Sequence, residues 1–292
     1  MDHLSIRTTP ATDLERQTLH VRGVSKTYAS KGGSIEALRN VTLNVGSGEI
    51  IGIVGRSGCG KSTLLRLIAG LDMEFAGRIS LDGSDITGPG TERGVVFQEP
   101  RLFPWLTIEQ NVAISVHEVD MPKSAKQERV KANLALVGLT GFEERFPHEI
   151  SGGMAQRAAV ARALTSQPSL LLLDEPFAAL DALTKMQMQD ELIGIWQHRR
   201  ISIVLITHDI EEAIHLCDRI IVMSPRPGEI KSVTEVSLPR PRTRTGAATS
   251  ALRERLMADL GLIIERRDTD LRPQHRPGFR ELHLPRALPA VL

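Results

Sequence analysis

Aromatic rings are scarce in this chain: seven Phe, two Trp and one Tyr among 292 residues, 3% of the total. Cysteine is scarcer still, with Cys59 and Cys217 alone, too few for a disulfide framework and natural to a reducing cytosol. No apolar run approaches the roughly 18 to 20 residues that cross a bilayer. The best stretches lie around 170–173 and 201–206, so the chain itself is not expected to span a membrane. Its opening residues, MDHLSIRTTPATDLERQ, hold no apolar segment, and no secretory signal is readable. Neither sign of charge dominates, 36 Lys plus Arg standing against 35 Asp plus Glu for a net +1. That balance argues against a nucleic-acid partner held by bulk electrostatics. An apolar fraction of 41% excludes disorder throughout, and 24 Gly with 16 Pro exclude a collagen-like or low-complexity chain. There remains a folded chain long enough for a full core and a second, smaller lobe, and too short for three ordinary domains.

Short apolar, β-branched runs alternate with longer segments of helical period, the pattern of a parallel sheet covered by helices. Strands are predicted at EIIGIV (49–54), GVVF (94–97), SLLLLD (169–174), SIVLIT (202–207) and RIIVM (219–223), and helices at 61–71, 123–139, 154–165 and 183–196. The stretch 98–167 is almost wholly helical in pattern and reads as a helical lobe inserted into an α/β core. TLHVRGVSKTYAS, IEALRNVTLNV and RISLDGSDI alternate with glycine-containing turns and predict a small antiparallel sheet beside that core. From Arg226 the texture breaks, because seven of the sixteen prolines lie there. A helix over about 252–264, with Leu252, Leu256, Leu260, Ile263 and Ile264 on one face, is the one ordered element expected in it. This tail carries 13 Lys plus Arg against 8 Asp plus Glu, so it holds +5 and residues 1–225 hold −4. It reads as a solvated, partly disordered extension. No internal repeat is visible.

The strongest motif is GRSGCGKST, residues 55–63, directly after an apolar strand and opening a helix. It fits G-x-x-x-x-G-K-[ST] in the context that marks a phosphate-binding loop. Gly55, Gly58 and Gly60 allow a tight turn, so that successive N–H groups and the helix N-terminus face a phosphate. Arg56, Ser57, Cys59 and Thr63 complete the candidate contacts. Lys61 would reach the β and γ phosphates, and the Ser62 hydroxyl can ligate Mg²⁺. Cys59 reads as a small side chain within the loop, with an alkylation-sensitive site as the sharper reading. In SLLLLDEP (169–176) an apolar strand ends in two carboxylates. Asp174 suits the holding of Mg²⁺ through its water shell, and Glu175 the polarising of the attacking water.

ISGGMAQR (150–157) opens a helix and resembles the signature of the ATP-binding subunits of ABC transporters, usually LSGGQ; Ile150 stands for Leu and Met154 for Gln. The second exchange removes a hydrogen-bonding side chain. The Ser151 hydroxyl, the Gly152 and Gly153 amides and a helix N-terminus suited to an anion are kept. The resemblance implies that this signature faces the γ-phosphate of ATP held by a second copy of the domain, so that Ser151 and Gly153 act in trans, as an arginine finger would. It implies further that Gln98, ending GVVFQ, contacts Mg²⁺ and water and senses the γ-phosphate. Asp181, in FAALDALT, would belong to a loop crossing the dimer interface beside Glu175. His208, in THDIEEA, would position the attacking water, and Tyr28, in VSKTY, would stack on adenine. The implied fold is an α/β P-loop NTPase (RecA-like) core with an antiparallel β subdomain and an inserted helical subdomain. The resemblance covers about 19–240, leaving a flexible segment 1–18 and a C-terminal extension 241–292.

An ATPase of this kind moves something through a partner, so a transmembrane permease is implied. Phe97, Phe103 and Trp105 cluster in VFQEPRLFPWLTIEQNV. Phe97 has a place in its strand, whereas Phe103 and Trp105 sit in a Pro-flanked stretch and are expected to line the groove that receives the permease's coupling helix. GPGTERGVVFQEPRLFPWLTIEQNV, DEPFAALDALTKMQMQDEL and THDIEEAIHLCDRIIVMSPRPGEI are similar to the bacterial importers of nitrate, aliphatic sulfonates and taurine. Aliphatic sulfonates are the favoured solute; nitrate, taurine or a small organic solute such as a pyrimidine precursor are the alternatives. A periplasmic solute-binding protein is then an indirect partner, the cytoplasmic face of the inner membrane the expected location, and nucleic acid no partner. A soluble ABC ATPase acting on DNA or ribosomes usually carries a long coiled-coil insertion or tandem ATP-binding halves, and neither is present. A P-loop kinase or GTPase gives no account of the SGG helix.

Overall fold

The computed structural model describes residues 17–30 and 33–262. Two long strands, β1 (Gln17–Ser30) and β2 (Gly33–Gly46), pair antiparallel, and β3 (Ile50–Val54) leads through the glycine loop into α1 (Lys61–Ile68). Next come β4 (Ala76–Leu81), β5 (Ser84–Asp85) and β6 (Arg93–Val96), then the helical lobe of α2 (Ile108–Ala113), α3 (Lys123–Leu136) and α4 (Gly152–Thr165). The chain returns through β7 (Leu170–Asp174), α5 (Ala182–Arg199), β8 (Ser202–Thr207), α6 (Ile210–Leu216), β9 (Arg219–Met223), β10 (Ile230–Glu235) and α7 (Ala247–Asp259). One sheet has the order β2-β1-β4-β5 and is antiparallel; the other runs β10-β9-β3-β8-β7-β6, with β10 alone antiparallel to its neighbour. The antiparallel subdomain, the parallel core and the inserted helical lobe are therefore all present.

The apolar strands are apolar on both faces because both faces are covered. Ile50, Leu171, Leu173, Ile203, Leu205, Ile220 and Val222 share a core with the helical lobe, α5 and α6. Their neighbours Ile51, Ile53, Leu170, Leu172, Val204, Ile206 and Ile221 point the other way, to α1 and the antiparallel sheet. Period-two alternation thus divides one sheet between two cores. Each fully buried Leu or Ile contributes about 1.5–3 kcal/mol by its removal from water.

Several boundaries moved. The helix predicted over 61–71 ends at Ile68, where the Leu71 N–H donates to Arg66 O and the Gly70 N–H to Leu67 O, with Gly70 at φ +73. This left-handed cap stops the helix, and the same pair of bonds, Leu139 N–H to Leu134 O and Gly138 N–H to Ala135 O, stops α3 before 139. β6 starts one residue early, leaving Phe97 just beyond the strand, where the Arg101 guanidinium lies 4.0 Å from its ring centroid. Helix α2 was not foreseen, although Thr107 and Gln110 form a reciprocal capping box at its start.

The expectation of a solvated tail fails as far as residue 262. β10 extends the core sheet, and α7 packs Leu256 into the core with Leu252 and Leu260 against it; Ile263 and Ile264 lie outside the described residues. At the other end β1 begins at Gln17 and Thr18 is buried in it, so residues 17 and 18 belong to the sheet; residues 1–16 lie outside the described residues. The tail's composition predicts solvated charge, yet the Arg242 side chain is 2% exposed. It donates to the carbonyls of Ile214, Cys217, Val236 and Leu238. Arg240 pairs with Asp218 and donates to Leu216 O. These cations satisfy the carbonyl end of α6, where a helix favours positive charge. Burial, and the Arg240 charge beside it, bring the Arg242 pKa down to about 10, which still leaves it cationic at neutral pH.

Candidate functional site

Parallel pairing sets Val54 beside Thr207, Leu173 beside Val96 and Asp174 beside Ile206. The carboxyl ends of β3, β6, β7 and β8 therefore share one edge of the sheet, the edge where α/β folds bind ligands. From it emerge the glycine loop, Gln98, the Asp174–Glu175 pair and His208.

The loop's turn depends on Gly60, which caps α1 at φ +103. A Cβ there would lie 2.7 Å from Leu38 Cδ2 and 2.8 Å from Ala37 O, so no larger residue fits. Lys61 is buried at the helix start, and its Nζ donates to Gly55 O at 2.8 Å and Arg56 O at 3.3 Å. The cavity over the loop has a volume of about 320 Å³ and is lined by Ser57, Gly58, Gly60, Lys61, Ser62, Thr63, Tyr28 and Glu175, with Ile35, Ala37 and Arg226. Tyr28 is fixed there: its hydroxyl donates to Asp72 Oδ2 at 3.2 Å, and Lys26 Nζ lies 4.7 Å from the ring centroid. Cys59 faces inward as a buried member of the core, which removes the reading of an alkylation-sensitive thiol.

Ser62 Oγ donates to Asp174 Oδ1 at 3.1 Å. Burial, and the neighbouring Glu175 charge, push the Asp174 carboxyl above its ordinary range despite the Ser62 hydrogen bond, which acts the other way. A cation at this point would offset that excess of negative charge. Among the described residues no cluster of three or more His, Cys, Asp or Glu could hold a metal. The Ser62 hydroxyl and Asp174 carboxyl suit an ion that takes its other oxygens from phosphate and water, the habit of Mg²⁺. Glu175 adopts φ +48, a left-handed conformation costly for a residue with a Cβ. Its N–H donates to Ile206 O at 2.9 Å, and His208 Nδ1 lies 3.0 Å from its Oε2.

Gln98 is exposed beyond β6 and is absent from the lining of the loop cavity among the described residues. Ser151, Gly152, Gly153 and Asp181 are absent from it too and form a second cluster. Ser151 caps α4, accepting from the Met154 N–H at 3.2 Å, and Asp181 caps α5, accepting from the Leu183 and Thr184 N–H groups, both at 3.1 Å. A Cβ on Gly153 would lie 2.7 Å from Thr184 Cγ2, so this glycine lets the two helix starts meet. Met154, where a Gln is usual, packs against the core instead.

Sequence reasoning missed three features. Arg226 donates to Gly58 O at 3.3 Å and borders the loop cavity, because Gly228 beside it is hydrogen-bonded to β2 at Ala37 O and the Arg39 N–H. Gln156 and Arg162 of α4 donate to Phe97 O, and to Pro100 O and Arg101 O, clamping the segment around Gln98. Lys185 of α5 bridges Asp209, the N-cap of α6, and Glu212 within it at 2.5 and 2.9 Å, tying the helix after Asp181 to the helix after His208.

A family model described as ABC transporter matches residues 38–178. The chain is 45% identical over 240 residues, 82% of its length and 94% of the relative's, to the aliphatic sulfonates import ATP-binding protein SsuB of Bacillus cereus. The chain belongs to the ATP-binding subunits of ABC transporters. Another member of this ABC family, the nitrate import ATP-binding protein NrtD of Synechocystis, is 46% identical over 231 residues, 78% of this chain and 87% of that one. Among solved structures, a dimeric ATP-binding cassette in a post-hydrolysis state bound to ADP and Pi matches with a TM-score of 0.67 and 32% identity, over 75% of this chain and 98% of that one. Among the described residues no helix is long and apolar enough to cross a membrane.

Proposed function

We propose that this chain is the ATP-hydrolysing subunit of a bacterial importer of aliphatic sulfonates, acting with Mg²⁺ on the cytoplasmic face of the inner membrane. One observation carries the chemistry: Glu175, with His208 Nδ1 3.0 Å away, borders the same cavity as Lys61 and the loop amides. Tyr28 stacks on adenine. The loop residues and Lys61 hold the phosphates, and Ser62 and Asp174 hold Mg²⁺, which when bound neutralises charge on the phosphate oxygens. Glu175 takes a proton from a water whose oxygen attacks the γ-phosphorus, and the bond to the β-phosphate oxygen breaks with its electron pair leaving on ADP. His208 and Gln98 position that water.

A second copy of the chain completes the site by presenting Ser151, Gly152 and Gly153, with the Asp181 loop crossing between copies. Support comes from the exposed start of α4, from Leu183 beside it at 74% exposure, and from the dimeric state of the ADP-bound relative. The permease partner docks on the helical lobe. Trp105 is 70% exposed and Phe103 39%, with ring centroids 5.5 Å apart. Asn111, buried, holds their loop rigid by bonding the Phe103 N–H and the carbonyls of Phe103 and Leu106. An F103A/W105A variant is expected to lose copurification with its permease while keeping nucleotide binding, since exposed aromatic anchors of an interface are each worth about 2 kcal/mol or more. Undiminished copurification excludes this surface.

Sulfonate is supported by the relatives named for it, and nitrate is the second reading because NrtD is as similar. Deleting the gene is expected to abolish growth on an alkanesulfonate as sole sulfur source and to leave growth on nitrate as sole nitrogen source intact. The reverse pattern assigns nitrate.

A further inference from the structure

A second cavity, of about 550 Å³, opens between α5, α6 and the segment after β10; it is larger than the loop cavity. Arg240, Arg242 and Arg244 line it together with His215, and Asp190 is the one acid among its described lining residues. Two of these arginines are committed elsewhere, Arg242 to backbone carbonyls and Arg240 to Asp218 and Leu216 O. Arg244 is not fully committed: its Nη1 donates to Gln189 Oε1 at 2.8 Å, while Nη2 lies 3.6 Å from Asp190 Oδ1 without a hydrogen bond, and the side chain is 30% exposed. His215 Nε2 lies 3.0 Å from the same Asp190 oxygen. Asp190 thus stands against a cavity rich in cations, and Ile193, Gly194 and Pro241 give it an apolar wall. A polar, cationic recess beside an apolar wall is the make-up of a small-molecule site with a charged head group.

We propose that this cavity binds a small organic oxyanion, its sulfonate, phosphate or carboxylate head held by Arg244 and the field of Arg240 and Arg242, and its carbon body against Ile193 and Pro241. The site is separate from the nucleotide pocket and is built by the C-terminal segment on the ATPase core. The charge arrangement gives two substitutions opposite signs. Arg244→Ala removes the guanidinium whose buried Nη2 has no hydrogen-bond partner, and a hydrogen bond to a charged group contributes enough to shift affinity by about tenfold. Asp190→Asn removes the competing acid and is expected to tighten binding severalfold. Isothermal titration of the full chain with ethanesulfonate, inorganic phosphate and acetate reads both, with ATP-analogue affinity as the control that should not change. Binding of at least one probe, weakened in R244A and strengthened in D190N, supports the site and identifies the head group. No heat from any probe at millimolar concentration, or R244A binding as the unaltered chain does, overturns it.

Discussion

Glu175→Gln binds ATP as tightly as the unaltered chain and hydrolyses it about 10²- to 10⁴-fold more slowly, the range that a positioned general base supplies. The expectation rests on what the exchange leaves in place. The amide has the carboxylate's shape and can still meet His208 Nδ1, now 3.0 Å from Oε2. The φ of +48 is held by the Glu175 N–H on Ile206 O at 2.9 Å rather than by the side chain. Lys61, Ser62 and the loop are untouched, so binding survives while proton acceptance is lost. On the two-copy site proposed above, hydrolysis releases the closed dimer, so ATP should shift this variant to a dimer on size exclusion, and turnover measured beside it should be close to background. Undiminished turnover would refute the general-base role.

The parts of the site that follow strands were legible from sequence because each is a local pattern. GRSGCGKST after a buried strand, two carboxylates ending SLLLLD and a histidine ending SIVLIT are all placed by one sheet edge, and parallel register brings them together without further information. What could not be read depends on long-range packing. Arg226 reaches Gly58 only because β2 captures Gly228, nearly two hundred residues later in the chain. Lys185 meets Glu212 only when α5 and α6 lie side by side. The tail misled for a related reason: its prolines and arginines have the composition of a solvated segment, and nothing local signals that the arginines end on α6 carbonyls. Composition counts charges but does not show their partners.

Lys61→Ala gives the contrasting outcome, a chain that folds and no longer binds nucleotide tightly. The ammonium is buried at the start of α1 and spans the loop between Gly55 O and Arg56 O, so its removal takes away both the cation facing the phosphates and a tie across the loop. Truncating one partner of a buried, hydrogen-bonded charge pair costs about 2–5 kcal/mol, a fall in affinity of roughly 30-fold to several thousand-fold. Folding is expected to persist, because α1 is held by Leu64, Leu65, Leu67 and Ile68 in the core and the helix start gains a residue of higher propensity. Titration with a fluorescent ATP analogue measures the loss, and Lys61→Met separates charge from bulk by keeping the aliphatic stem. If methionine restores binding, the ammonium is not the phosphate ligand and the loop's shape alone accounts for affinity. If neither variant binds while Glu175→Gln does, holding the phosphates and activating the water are separate tasks of the ends of β3 and β7, with β8 between them.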